Sequence, residues 1–482
     1  MESVHVKLID PIGQSMLQKA ARQGLSLLWE RAEKLQPQDG FLRLGLSCPL
    51  DCMYGPCRID PFGRGADKGI CGLEKDEMVA ASLLRLCQRG ALEALAAIRQ
   101  TDPPVRPQFP ESLAHLADRA FDNFGLARFS ADEHLDPALL PPSMSLDHEQ
   151  LLAQAIRASL YCLAILSQSR HDGSPGPGLC RSGFNVMTGN GLRIGFSGKP
   201  SAEIVERLAR QASSASEEIQ LVALGTWLPL GSDFMSMASS SGTAELLLSS
   251  GSVHLLIAGA GTQPGLIQLC RTLNIPVVHD GGSDSADEIL TSAANYHKLS
   301  GRSGLQDSPM PPNFTVYQRS SDLAQLLSEN PERKICLVAG SDNPHITLGK
   351  LPQELYESLS GNGMMVCGWG DAAWWLTTSN PDSKNSAITT GPLVALQAIA
   401  ECGDLNRLAG VCFTGLGSCL ELAVTLGLAA LGCRVFVATP IPIFGSNKVC
   451  EFLESKFQAL GGDLYQVDPM PEVQDLVDWI TK

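Results

Sequence analysis

The sequence predicts an α/β protein in which an N-terminal helical domain with a Cys-rich segment precedes two Rossmann-like parallel-sheet domains. Three observations carry that expectation. Helical periodicity dominates the first third of the chain. From about Leu192 short apolar runs alternate with helical stretches, and the alternation starts afresh near Lys334. Apolar runs of this length, bounded by Gly and separated by helices, are the pattern of buried parallel strands in βαβ units. A chain of 482 residues exceeds one ordinary core. The expected domains span 1–185, 186–330 and 331–482.

Taken in order, residues 15–35 read as an amphipathic helix, with Met16, Ala20, Leu27, Leu28 and Ala32 near helical spacing. Residues 39–72 are rich in Cys, Gly and Pro, and such a stretch needs an internal staple because it buries little apolar surface. Helices follow over 74–100 and 149–167, and the Gly/Pro-rich stretch 171–178 reads as a linker. The first strand set is LRIGF, IQLVALG, VHLLIAG and IPVVH; the second is KICLVAG, GMMVCGW, RLAGVCFTG and RVFVATP. In such sheets chemistry gathers beyond the C-terminal strand ends, here near Gly225, Gly259, Gly340, Cys367 and Gly415.

Composition narrows the function. Apolar residues make up 44% and charged residues 18%, a globular balance. The net charge of −15 argues against nucleic acid, whose phosphates call for clustered Lys and Arg. No secretory pattern opens the chain, and the apolar stretches are interrupted by charge or Gly, so no membrane insertion is expected. Fifteen cysteines then belong in a reducing compartment, as ligands or small buried residues, and a cytoplasmic protein is expected.

The stretch CPLDCMYGPCRIDPFGRGADKGICG bunches Cys48, Cys52 and Cys57, with Cys71 after a loop. Four thiolates are what a [4Fe–4S] cluster takes, and Gly residues let backbone N–H groups approach its sulfurs. Arg58 is a cation placed to offset cluster charge. Tetrahedral zinc is the alternative, although zinc sites usually present two separated pairs. GAGTQPG at 259–265 carries Pro264 where a dinucleotide fingerprint needs its third Gly, so an ordinary strand–helix turn is favoured. Cys87, Cys162, Cys270, Cys433 and Cys450 read as small buried residues, and no HExxH or GxSxG pattern occurs.

WERAEKLQPQ, GPCRIDPFG, GICG and VAASLLR around the cysteines, with SDNPHI, FTGLGSCLELA, PIPIFGSNKVCEFLESKF and GGDLYQVDP farther on, together give a pattern. It resembles the nickel-containing anaerobic carbon monoxide dehydrogenases, relatives of the hybrid-cluster (prismane) proteins, in a shortened and divergent form. The resemblance implies that Cys48, Cys52, Cys57 and Cys71 hold a [4Fe–4S] cluster that exchanges electrons with a ferredoxin-like or other redox partner subunit, in a homo- or hetero-oligomer. The family's cluster shared between subunits uses two further cysteines, and Asp39 and Ser47 stand there. At the nickel–iron–sulfur site the aligned positions give Lys199, Trp227 or Leu228, Thr262 and Ser341; only Cys367 and Cys419 match ligands. Two thiolates do not hold such a cluster, so nickel and carbon monoxide oxidation are not expected. The leading expectation is a one-cluster electron-transfer protein within a larger, anaerobic oxidoreductase system. Its rivals are an oxidoreductase with a rebuilt pocket at Cys367 and Cys419, and a non-redox binding or assembly protein.

Overall fold

The computed structural model describes residues 6–35, 39–50, 52–98, 106–130, 136–140, 147–168, 176–225, 227–300, 305, 309–379, 385–466 and 472–481. Its strands are β1 Gly178–Cys180, β2 Leu192–Ser197, β3 Ile219–Leu224, β4 Pro229–Leu230, β5 Asp233–Phe234, β6 Ser236–Ser239, β7 Leu255–Ala258 and β8 Val277–His279. They continue as β9 Phe314–Tyr317, β10 Ile335–Ala339, β11 Met365–Gly368, β12 Ser386–Thr389, β13 Leu408–Phe413, β14 Arg434–Val437 and β15 Asp463–Gln466. The chain folds into two compact units, each built from separated stretches. The first comprises Met1–Gln36, Pro175–Leu323 and Val338–Val394; the second comprises Pro37–Ser174, Ala324–Leu337 and Ala395–Lys482.

The first unit contains a five-stranded parallel sheet in the order β6-β3-β2-β7-β8. Every residue of β2 is buried, as a central strand covered on both faces requires. Ile194, Phe196 and Ile257 pack with Leu208 of the helix Ala202–Ser214 and Ile289 of the helix Ala286–Ser300. A second core joins Val222, Leu224 and Leu256 to Leu247, Trp29 and Met16. The sequence expectation of one helix over 15–35 is corrected here. Two helices form, Pro11–Arg22 and Leu28–Lys34, with Gly24 between them at φ +68°. The left-handed backbone at Gly24 stops the first helix, and Glu30 accepts from the Leu27 N–H at 2.9 Å to start the second. The same unit holds β1, β9, β12 and β11; β1 runs antiparallel to β9, and the other pairings are parallel.

The strand order of the five-stranded sheet reverses direction between β2 and β7, the position where sheets of this kind open a crevice. Here the crevice is closed by main chain. Lys199 and Ala260 exchange backbone hydrogen bonds of 2.8 and 3.3 Å. A Cβ added at Gly259 would stand 2.3 Å from the Pro200 nitrogen, so that strand-end turn is filled by its neighbouring loop. The GAGTQPG segment is thus a turn into the helix Pro264–Leu273, with Pro264 at its first position.

In the second unit the helices Lys75–Ile98, His148–Gln168 and Cys419–Ala430 pack together, beside the parallel strands β13-β14-β15. His148–Gln168 is long and apolar enough to cross a membrane by length and composition, against the expectation that no stretch would be. It is a core helix of this unit, with Leu151, Leu152 and every residue from Ala155 to Ile165 buried. Of the linker at 171–178, residues 171–175 lie outside the described residues.

Candidate metal centre

The Cys-rich segment lies in the second unit and is shaped by a few local contacts. Asp39 caps the short helix Gly40–Arg43, accepting from the N–H groups of Phe41 (3.0 Å) and Leu42 (3.4 Å). The chain then pairs with itself in antiparallel fashion. Ile59 N–H donates to Leu46 O at 3.0 Å, Ser47 bridges Arg58, and Cys48 N–H donates to Cys57 O at 2.9 Å. Buried Leu46 and Ile59 anchor this small ladder and set Cys48 beside Cys57. A turn closed by Gly55 N–H on Cys52 O (3.0 Å) positions the second thiol. Asp60 gathers the next loop through the N–H groups of Phe62 (2.8 Å) and Arg64 (3.0 Å). Gly69 N–H on Leu73 O, at 2.8 Å, folds Cys71 back.

These contacts gather all four thiols into one electrostatic neighbourhood. Burial pushes the Cys48 thiol up, and Cys57, Cys71 and Cys52 add to it. The Ile70 N–H points at Cys57 Sγ at 3.5 Å, a donor of the kind that supports a metal-bound thiolate. Glycines stand where side chains would crowd the sulfurs: a Cβ at Gly69 would lie 3.8 Å from Cys57 Sγ, and one at Gly55 3.9 Å from Cys52 Sγ. Cys52 and Cys71 are exposed, whereas Cys48 and Cys57 are half-buried. Among the described residues no three Cys, His, Asp or Glu side chains converge closely enough to hold a single metal ion. Four thiols are the donor set that both a [4Fe–4S] cluster and tetrahedral zinc take.

Arg58, expected to serve the cluster, is engaged elsewhere. It pairs with Asp39 at 2.7 Å and lies over the Phe41 ring at 5.7 Å. Asp39 is thus both helix cap and ion-pair partner, while the Ser47 hydroxyl is buried with no hydrogen-bond partner. The residues aligned with the nickel site are dispersed in role. Lys199 is exposed, and Thr262 donates to the Ser197 and Gly259 carbonyls at 2.9 Å each. Trp227 packs edge-on against Phe314, with ring centres 5.6 Å apart, and Leu228 is buried. Cys367 lies inside β11 in the first unit, fully buried beside Ala387 of β12. Cys419 belongs to the second unit, half-buried as the first residue of the helix Cys419–Ala430. Burial pushes its thiol up, and the Glu93 charge acts in the same direction.

Two pairings escaped sequence reasoning. Cys336 and Cys412, each inside a strand, place their sulfurs 3.9 Å apart in the second unit; their mutual contact and burial hold the Cys336 proton. In the first unit Asp342 and Asp371 form a buried acidic pair. Asp371 accepts from Ser241 N–H (2.7 Å), Asp342 N–H (2.9 Å) and the Ser241 hydroxyl. Asp342 accepts from the Ser240 hydroxyl (2.5 Å), Gly242 N–H (3.2 Å) and Trp375 Nε1 (2.7 Å). The pair ties the loop after β6 to the loops after β10 and β11. Trp374 and Trp375 behind it are buried, Trp374 donating to Met237 O at 3.1 Å.

Burial first, and then the Asp371 charge, push the Asp342 carboxyl up to about 8 from an ordinary 3.8. The folded chain therefore binds the extra proton between those values, and stability must fall as pH rises through that window. The contribution is fully present below about pH 4 and is lost through about pH 8. Asp342→Asn keeps the shape without the titration. Its melting temperature is expected to gain on the parent's as pH rises from about 5 to 8.5. Each tenfold fall in proton concentration across that window should add on the order of 1 kcal/mol to the gain. A constant difference across that range would refute the account of a proton held by Asp342.

No family model matches the chain. Among characterised proteins, carbon monoxide dehydrogenase 1 of Methanosarcina mazei is 53% identical over 85 residues, covering 18% of this chain and 13% of that protein. Carbon monoxide dehydrogenase 1 of Carboxydothermus hydrogenoformans is 43% identical over 83 residues, 17% of this chain and 13% of that protein. These matches span about one eighth of the relatives' length. Solved structures agree over the whole chain. Carbon monoxide dehydrogenase IV from Carboxydothermus hydrogenoformans superposes with a TM-score of 0.76 at 18% identity, covering 100% of this chain and 99% of that one. The chain thus resembles carbon monoxide dehydrogenases in sequence over some 85 residues and shares their fold over its whole length. A nickel-free carbon monoxide dehydrogenase from Thermococcus sp. AM4 gives a TM-score of 0.71 at 18% identity, covering 100% and 98%. At such identity the likeness to the solved structures establishes the α/β fold with parallel sheets and nothing finer.

Proposed function

We propose that the chain is a redox protein holding one [4Fe–4S] cluster on Cys48, Cys52, Cys57 and Cys71. It exchanges single electrons with a ferredoxin-like or other redox subunit, within a homo- or hetero-oligomeric complex. The observation that carries this reading is the gathering of four thiols in one glycine-lined segment, with the Ile70 N–H directed at Cys57 Sγ. A bound cluster of this type supplies one-electron transfer. The chain's own residues hold and shield it. Cys48 and Cys57 are fixed by the antiparallel ladder, and exposed Cys52 and Cys71 leave one side open to a partner. Fifteen free thiols suit a reducing compartment, and we place the protein in the cytoplasm. Anaerobic purification with iron and sulfide analysis tests the reading; about four of each per chain are expected.

The proposal excludes the relatives' nickel chemistry for this chain. Lys199, Thr262 and Ser341 offer an amine and two hydroxyls where soft thiolate or imidazole ligands are needed. The hydroxyl of Thr262 is already spent on two carbonyls. Protein incubated with nickel under reducing conditions is expected to retain none after gel filtration and to show no CO-dependent viologen reduction. Robust dye reduction would restore the rebuilt-pocket enzyme as the better account.

A further inference from the structure

We infer that His254 and His297 form an acid-sensitive latch, which holds the last turn of the helix Ala286–Ser300 on the five-stranded sheet and opens when His297 takes up a proton. His254 directly precedes β7 and is buried, whereas His297 is half-buried in the last turn of the helix. The ring centres lie 4.1 Å apart, with His254 Nε2 2.9 Å from His297 Nδ1. The other nitrogen of His254 decides how that contact is made. Arg193 of β2 donates its main-chain N–H to His254 Nδ1 at 2.9 Å, and the His254 main-chain N–H donates back to Arg193 O at 2.9 Å. A ring nitrogen that accepts carries no proton. His254 therefore keeps its proton on Nε2 and donates to His297 Nδ1, which leaves the His297 proton on Nε2. Both rings are neutral in the closed pair, and each has one allowed tautomer.

A further proton has only the two Nδ1 atoms to go to. On His254 it would face the Arg193 N–H, and that ring is well protected. Burial first, and then the His297 and Arg193 charges, hold the His254 imidazole down to about 3 from an ordinary 6.5. Its contribution to stability is present above about pH 6.5 and is lost only as pH falls toward about 3. In milder acid the proton goes to His297 Nδ1, where it sets two donors face to face and breaks the contact. The surrounding charges do not relieve this. From β2 the Arg193 guanidinium is fixed on Thr188 O (2.7 Å), Gly189 O (2.6 Å) and Gln220 Oε1 (3.1 Å), and Glu218, just before β3, acts on it. β7 reads LLIA and brings no charge, and Lys298, next along the helix, is exposed. The helix Ala202–Ser214 packs on the same helix, but its Arg207 and Gln211 reach Asp284 O and Asp287, at the opposite end. The latch thus loosens as pH falls, opposite in sign to Asp342 in the same unit.

Hydrogen exchange of the whole chain, read by peptide mass spectrometry and corrected for the intrinsic pH dependence of exchange, tests the latch. Between about pH 8 and 5, where histidine changes charge, protection of the amides at 293–300 is expected to fall. The limit for one coupled proton is about tenfold per pH unit. His297→Asn keeps an acceptor oxygen near the place of Nδ1 and does not titrate, so its protection there should stay level across the same range. Long-range proton–nitrogen NMR spectra of histidine-labelled parent at the alkaline end should show both rings protonated on Nε2. Protection that does not change with pH in the parent, or a fall of the same size in His297→Asn, overturns the inference. So does a proton on Nδ1 of either ring, a readout that stands even where His297→Asn loses protection at every pH.

Discussion

Changing any one of Cys48, Cys52, Cys57 or Cys71 to Ala is expected to abolish cluster binding and to unfold residues 39–72 locally. The reason is the poverty of that segment's core. Leu46 and Ile59 are its buried aliphatic side chains, whereas Met53 is 97% and Tyr54 83% exposed, with Phe62 and Ile70 also in solvent. Two buried aliphatic side chains are too few to offset the backbone entropy lost in ordering a segment of this length. Ligation by four residues spread along it is therefore what orders it, as metal binding does in other small metal-stapled folds. Limited proteolysis should cut within 39–72 in each variant while leaving the helix Lys75–Ile98 intact. Stoichiometric zinc without sulfide in the parent, or protease resistance in the Ala variants, would sink the cluster proposal.

Much of this organisation was legible from patterning. All eight apolar runs singled out in the sequence are strands, β2, β3, β7, β8, β10, β11, β13 and β14, because buried parallel strands are apolar on both faces. The strands that escaped notice lack that signature. β6 reads SMAS, two of its four residues being Ser, and β1 is three residues with an exposed centre. β15, DLYQ, has no fully buried residue. Each is recognised only through its neighbours in the sheet.

The candidate site stands out in the sequence for a different reason. Four cysteines and their glycines are local in sequence, so spacing alone marks them. The contact of Arg85 with the Pro49 carbonyl was not legible, because Arg85 comes from a helix 36 residues beyond it. The acidic pair was hidden for a similar reason. Asp342 and Asp371 look like ordinary strand-end residues until three loops converge on them. SSSG at 239–242 was the available signal: small polar residues leaving a buried strand need acceptors somewhere in the core.

Gly90→Ala is expected to destabilise the second unit by about 2 kcal/mol or more, although local propensity points the other way. Gly90 sits inside the helix Lys75–Ile98, where Ala is favoured by about 1 kcal/mol. Packing decides against it. A Cβ there would stand 2.2 Å from the carbonyl oxygen of Cys419, 2.6 Å from its carbonyl carbon and 2.9 Å from Ala423 Cβ. Two of those atoms are main chain and cannot swing aside, so the whole helix Cys419–Ala430 would have to retreat. Farther along the same ridge a Cβ at Gly427 would lie 2.7 Å from Leu163 Cδ1, so this helix is also tightly packed on the helix His148–Gln168. Overpacking of this kind costs about 1–3 kcal/mol, occasionally more. The retreat would also part Leu420 N–H from the Glu93 carboxylate, now at 3.2 Å, and expose Cys419. Two readouts should move together: a lower melting temperature and faster alkylation of Cys419, judged against a Gly90→Ala/Cys419→Ser background. Leu92→Ala, on the exposed face of the same helix, should change neither appreciably. A Gly90→Ala protein as stable as the parent would mean that the close approach of these two helices is not what holds the Cys419 helix in place.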